Sequence, residues 1–161
     1  MSTDTPDLPA VAQNPGFLLS RLGQQVRRGF ADSLTALDVR PVQYGLLAGL
    51  EVWGHASQQE LSAALRVDRG DMVRLLDDLE ARGLVERTPD PADRRRHAVR
   101  LTAHGRALLR KLHGVSERFT SQFFAALTER ERAQLERLLT KLWRATERAD
   151  PASGRTSRKP V

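Results

Sequence analysis

The stretch from Ser57 to Thr102 reads SQQELSAALRVDRGDMVRLLDDLEARGLVERTPDPADRRRHAVRLT. Ser57-Gln58-Gln59-Glu60 is a capping box, in which the serine oxygen accepts from a backbone N–H and the glutamate reaches back. It predicts a short helix to about Leu65. Arg66-Val67 is a turn, and Asp68 is the next N-cap. From there Met72, Leu75, Leu76 and Leu79 recur at helical spacing and face inward. Gly83, just past the helix end at Arg82, supplies a residue that enters the left-handed region without steric cost. Leu84 to Thr88 reads as a strand, Pro89-Asp90-Pro91-Ala92-Asp93 as a turn-rich tip, and His97 to Leu101 as a returning strand. Two short helices followed by a β-hairpin describe a helix-turn-helix with a wing.

Outward from this stretch the chain is helical. Asn14 and Pro15 form a helix start, with an N-cap side chain before the residue favoured at the first helical position. Leu18, Leu22, Val26, Phe30 and Leu34 then mark one face of a long helix to about Leu37. Arg21, Gln24, Gln25, Arg28 and Asp32 mark the other face. Arg40 precedes a proline and so breaks the helix. A second helix runs from Pro41 to about Trp53, and Gly54 and His55 end it. After the hairpin, Thr102 caps a helix with the stripe Leu108, Leu112, Val115, Phe119 and Phe123. Thr128-Glu129-Arg130-Glu131 is a second capping box. The final helix carries Leu135, Leu138, Leu139, Leu142 and Trp143. Residues 1–14 read as a disordered arm, and 149–161 as a disordered basic tail rich in Pro, Ser, Gly and Arg.

Composition narrows the function. The 161 residues suit one domain, or one domain with a long dimerising extension, and the absence of cysteine removes disulfides, thiolate metal sites and thiol redox chemistry. There is no spanning apolar run and no basic, apolar leader, so a cytoplasmic protein without membrane attachment is expected. The formal net charge is +6, and it is unevenly placed. Residues 87–111 hold eight basic side chains against Asp90 and Asp93. A positive field concentrated on one structural unit suits a nucleic acid. The abundance of Arg over Lys is a coding bias, but a bias does not explain the clustering. No Gly-rich phosphate loop, metal-ligand spacing among His55, His97, His104 and His113, or nucleophile beside a base is visible. No enzyme, metal or cofactor is therefore expected.

The order of elements resembles the MarR family of winged-helix transcription regulators over roughly residues 15–148. The wing motif is matched by Asp93, Arg95, Leu101 and Thr102. The segment before it is matched by Leu76, Leu79, Glu80, Gly83, Leu84 and Val85. The resemblance implies a mainly α fold with a small β-hairpin wing. The winged helix-turn-helix would span about 41–101, with dimerisation helices at about 15–37 and 102–148. It also implies a homodimer. The apolar stripes agree with a dimer, because the long end helices carry more apolar surface than a small lobe covers.

On that reading the helix Asp68 to Arg82 lies in the major groove of double-stranded DNA and presents Arg69, Gly70, Asp71, Val73 and Arg74. The family usually places small hydroxyl residues where Gly70, Asp71 and Val73 stand here. Asp71 would accept from a cytosine amino group, support the helix N-terminus, or hold Arg69 or Arg74. Arg95 would enter the minor groove, braced by Asp93, while Arg94 and Arg96 meet phosphates. Arg100, Arg106 and Lys111 read as solvated charges. Two lobes would read a pseudo-palindromic operator. The expected function is a sequence-specific, homodimeric repressor. The resemblance adds release by a small aromatic, phenolic or lipophilic ligand, with Arg21, Phe30, Tyr44, Trp53 and His55 as candidate lining. The alternative is a non-specific architectural DNA-binding protein without a ligand response.

Overall fold

The computed structural model describes residues 14–89 and 97–149. Helix α1 is Pro15–Leu34. The Asn14 side chain caps it, accepting from the N–H groups of Gly16 at 2.8 Å and Phe17 at 3.3 Å. A single 3-10 turn, Thr35–Leu37, follows, and Asp38 then turns the chain with φ at 51°. Helix α2, Pro41–Trp53, starts where an extended Arg40 precedes the proline. A two-residue strand β1, Ala56–Ser57, leads into α3, Gln58–Leu65, and then α4, Arg69–Ala81. The predicted capping box of α3 is formed, with the Ser57 N–H donating to Glu60 at 2.8 Å and the Glu60 N–H returning to Ser57 Oγ at 3.3 Å.

Strands β2, Val85–Pro89, and β3, His97–Leu101, are the hairpin. The sheet has three strands rather than two, in the order β1-β3-β2, all antiparallel. Ala56 pairs with Val99 and Ser57 with Ala98, so β3 becomes the central strand. Two residues carry no alternation of their own, and β1 exists because β3 offers it an edge.

The core fills the space between α2, α3, α4, the sheet and α5, Ala103–Phe123. Leu46, Leu47 and Leu50 from α2 meet Leu61 from α3, and Met72, Leu76 and Leu79 from α4. Leu109 and Leu112 from α5 close it. The start of α5 is pinned to the turn before β2. The Thr102 N–H donates to Leu84 O at 3.1 Å, the Thr102 hydroxyl to Gly83 O at 2.6 Å, and the Gly105 N–H to Thr102 Oγ1 at 3.0 Å. The contact is so close that a Cβ on Gly105 would stand 2.0 Å from Leu84 O. Gly83 turns there with φ at 64°, as expected of a helix C′ glycine.

Beyond the lobe, α5 continues against α1. Phe119 lies 5.7 Å from Phe30, ring centre to ring centre, and over Gly29, where a Cβ would be 2.9 Å from the ring. Helix α6, Glu129–Ala149, opens on the predicted Thr128/Glu131 box, and Arg132 in its first turn ties it to the end of α5. That guanidinium donates to Phe124 O at 3.3 Å and Ser121 O at 3.5 Å, capping the last carbonyls of α5. Leu138, Leu139, Leu142 and Trp143 of α6 are exposed in the single chain, as are Phe17, Leu18, Leu19 and Leu22 of α1.

Candidate nucleic-acid interface

Helix α4 owes its position to its apolar face. Met72, Leu75, Leu76 and Leu79 are buried, which leaves Arg69, Gly70, Asp71, Val73 and Arg74 on the outside of its first turns. Asp68 caps the helix, its carboxylate accepting from the Asp71 N–H at 2.9 Å. That backbone donor is the main reason the Asp68 carboxyl is held below its ordinary range, with further help from the Gly70 N–H and the Arg74 charge. Asp71 makes an ion pair with Arg74 one turn on, and as the acidic residue of the first turn it also stands where a carboxylate favours the helix N-terminus. Gly70 packs beside the cap: an added Cβ would be 3.3 Å from the Asp68 carboxylate.

The base of the wing is tied to α4. The Arg87 N–H donates to Glu80 at 3.1 Å, while its guanidinium pairs with Glu80 and reaches Asp77 at 2.6 Å. Partial burial lowers the Arg87 pKa, but the Asp77 hydrogen bond and the Glu80 charge outweigh it and leave the group raised. Arg87 therefore orients the hairpin against the helix. Arg100 is not simply solvated; it donates to Glu86 at 2.8 Å, its cross-strand neighbour in the β2–β3 register. Arg106 donates to Leu101 O at 3.0 Å. The charge count over 87–111 thus overstates what the wing can offer a partner, because Asp77, Glu80 and Glu86 reach in from outside the window. Lys111 is exposed. Asp93, Arg94, Arg95 and Arg96 lie outside the described residues, in the connection between β2 and β3.

A polar joint that the sequence reading missed ties α4 to the α1–α2 corner. Gln43 is 2% exposed. Its oxygen accepts from the Arg40 N–H at 2.8 Å, and its amide donates to Asp78 on α4 at 2.6 Å. Arg82 stands 3.6 Å from Asp78 and 3.8 Å from Asp38. The signal was present in part, since a glutamine three residues after Arg40 is the second half of a capping box.

Of the expected ligand-lining residues, Phe30 and Tyr44 are in ring contact, edge to face at 5.6 Å. Arg21 lies nine residues from Phe30 on α1, and Trp53 nine from Tyr44 on α2, each about 13 Å of helix rise. Trp53 folds back over Gly49, and His55 follows the end of α2. What does gather at Phe30 and Tyr44 was not expected. The Tyr44 hydroxyl is 3.1 Å from His113 Nδ1, and His113 Nε2 is 2.9 Å from Glu51. These partners are 69 and 62 residues apart, beyond any local signal.

Among the described residues no three His, Asp or Glu side chains stand where they could share a metal ion, and no helix is long and apolar enough to cross a membrane. Two helices and a three-stranded sheet arranged in this way define a winged helix-turn-helix lobe carried on long helices. Comparison with known proteins agrees. The family model described as "MarR family" matches residues 37–96. The multiple antibiotic resistance protein MarR of Escherichia coli is 34% identical over 128 residues, covering 79% of this chain and 89% of that protein. A mutant of Escherichia coli MarR solved in complex with operator DNA superposes with a TM-score of 0.70 at 33% identity, covering 85% of this chain and 99% of that one. BpsR of Bordetella bronchiseptica, whose DNA binding is regulated by 6-hydroxynicotinic acid, superposes with a TM-score of 0.71 at 29% identity, covering 84% and 96%. The chain belongs to the MarR family of transcriptional regulators. None of these relatives carries the name of an enzyme.

Proposed function

We propose that the protein is a cytoplasmic, homodimeric repressor that binds a pseudo-palindromic operator and is released by a small aromatic or phenolic acid. The observation that carries the DNA reading is the outward face of α4, exposed at the front of a winged lobe whose relative was solved on operator DNA. In this reading the first turns of α4 enter the major groove with Arg69, Gly70, Asp71 and Arg74. Arg95, braced by Asp93, enters the minor groove, while Arg94 and Arg96 meet phosphates. The uncovered apolar faces of α1 and α6 support a dimer built from α1, α5 and α6. Repression needs only that the dimer occupy its site. The wing test is Arg95→Ala, expected to weaken operator binding at least tenfold in a gel-shift titration while the dimer persists in sedimentation. Wild-type affinity in that variant would remove the wing from the mechanism.

For the ligand, the aromatic cluster of Phe30, Tyr44 and His113, with Glu51 behind the histidine, is the part of the structure suited to an aromatic ring bearing polar groups. Arg21, about 13 Å of helix rise from Phe30, and Trp53, as far from Tyr44 along α2, are left out of the proposed pocket, as is His55 beyond the end of α2. Thermal-shift measurements with 6-hydroxynicotinic and hydroxybenzoic acids test this. A saturable rise in melting temperature that Tyr44→Ala abolishes is expected; no shift with any of them would remove the ligand response. Competition between a promoter fragment and bulk DNA separates the repressor from an architectural protein, which would show no preference.

A further inference from the structure

Asp71 is an anion on the surface that α4 would turn toward a polyanion. The cap itself is supplied by Asp68, which accepts from the Asp71 N–H, and a carboxylate in the first turn adds only a modest helix-dipole benefit. Stability does not explain it either. The pair with Arg74 is solvent-exposed, 76% for the arginine and 53% for the aspartate, and exposed pairs of this kind add little to folding. Toward phosphates the pair is a disadvantage, since it cancels a positive charge where counterion release would reward one. What the carboxylate does provide is direction. An unrestrained arginine sweeps through many rotamers and meets any phosphate in reach. Asp71 holds the Arg74 guanidinium by one of its terminal nitrogens, which restricts its sweep and leaves its other donors for a base edge. The rigid guanidinium fork matches guanine O6 and N7. The same carboxylate repels acceptor-rich edges and can accept only from an amino group such as cytosine N4.

We infer that Asp71 and Arg74 form one specificity-determining unit on α4, in which Arg74 reads a guanine of the half-site and Asp71 positions it and penalises other base edges. This rests on the operator-binding reading above. Val73, 39% exposed beside the pair, would meet a neighbouring thymine methyl. Gly70 and Val73 beside the pair offer no polar side chain, so on this face directional polar contacts fall to the pair and to Arg69, which has no aspartate one turn on.

The test begins by selecting a site from randomised duplexes with the wild-type protein. Affinities are then measured for wild type, Asp71→Asn and Arg74→Lys, on that site and on versions carrying each other base, or 7-deazaguanine, at each guanine of the half-site. Wild type should lose about ten- to a hundredfold at one guanine. Asp71→Asn should bind random duplex more tightly and discriminate that guanine by less than about threefold, because the brace and the repulsion go together. Arg74→Lys keeps the charge and loses the fork, so it should retain random-duplex affinity and lose the same discrimination. A purely structural role for Asp71 would instead shift affinity on all duplexes alike, and circular dichroism would show the lost helix. If Asp71→Asn keeps the wild-type base preference, this inference fails while operator binding stands. If wild type selects no site, the operator reading itself fails and this inference with it.

Discussion

Helices α4 and α6 carry leucine at the same helical spacing and meet opposite fates. On α4, Leu76 and Leu79 are wholly buried. On α6, Leu142 is 57% exposed and Trp143 63%. Helix α1 shows both outcomes within itself, with Leu34 buried against the lobe and Leu22 left 47% exposed a few turns earlier. Periodicity states that a face needs cover. It does not state whether the cover comes from the same chain. In the lobe, strands and helices close in sequence can wrap around one another. The far ends of α1 and α6 extend past everything that the described residues place on them.

The contrast is sharpest in a matched pair of truncations. Leu76→Ala should lower unfolding free energy by about 3 kcal/mol, the range for a wholly buried leucine whose site cannot collapse. Leu142→Ala should leave lobe stability unchanged at protein concentrations where the wild type is monomeric, and weaken self-association in sedimentation. An equal loss in both variants at such dilution would mean that α6 is covered within its own chain. Next in size, Gly105→Ala should cost about 2 kcal/mol in urea unfolding, since backbone and not a flexible side chain stands in the way of the new methyl. Wild-type stability there would show that α5 can slide on the lobe. Arg87→Ala should cost about 1 kcal/mol, because the ion pairs it breaks are only partly buried. Its clearer signature is faster amide exchange along β2 and β3 with the α4 core unchanged.

The smallest expected effect is a pH dependence at the start of α4. The Asp68 carboxyl titrates lower in the folded protein than in the unfolded chain, so the cap is fully present above the unfolded value of about 4. It is lost as pH falls through the folded value. Asp68→Asn keeps an acceptor and should remove this acid dependence while preserving the helix. Amide exchange at Gly70 and Asp71 between about pH 5 and pH 2 reads it directly, and an acid response unchanged by the substitution would place the sensitivity elsewhere.

Much of the lobe was legible because its signals are local. Asn14, Ser57 with Glu60, Asp68, Thr102, and Thr128 with Glu131 each bond within three residues, so spacing alone reveals them. Small errors fell at element ends, where Ala81 closes α4 instead of Arg82 and Pro89 closes β2 instead of Thr88. The face of α4 that points outward followed from the four apolar residues that point inward. The polar partners of that face did not follow so directly. Asp77 and Glu80 take Arg87 across ten and seven residues, Glu86 takes Arg100 across fourteen, and Gln43 reaches Asp78 across thirty-five. A window of local charge treats such arginines as available when the folded chain has already used them.

What the amino-acid order determined by itself is therefore the set of helices, the hairpin, their caps and the apolar stripe on each. All of these depend on interactions over one or two turns, where geometry follows from spacing. The tertiary structure alone decided that β1 joins the sheet, that Arg87 belongs to α4 as much as to the wing, and that Tyr44, His113 and Glu51 meet. It also decided which half of α1 is covered. Those outcomes are set by which surfaces fit together once the chain has closed long loops, and no residue carries that information in its own neighbourhood.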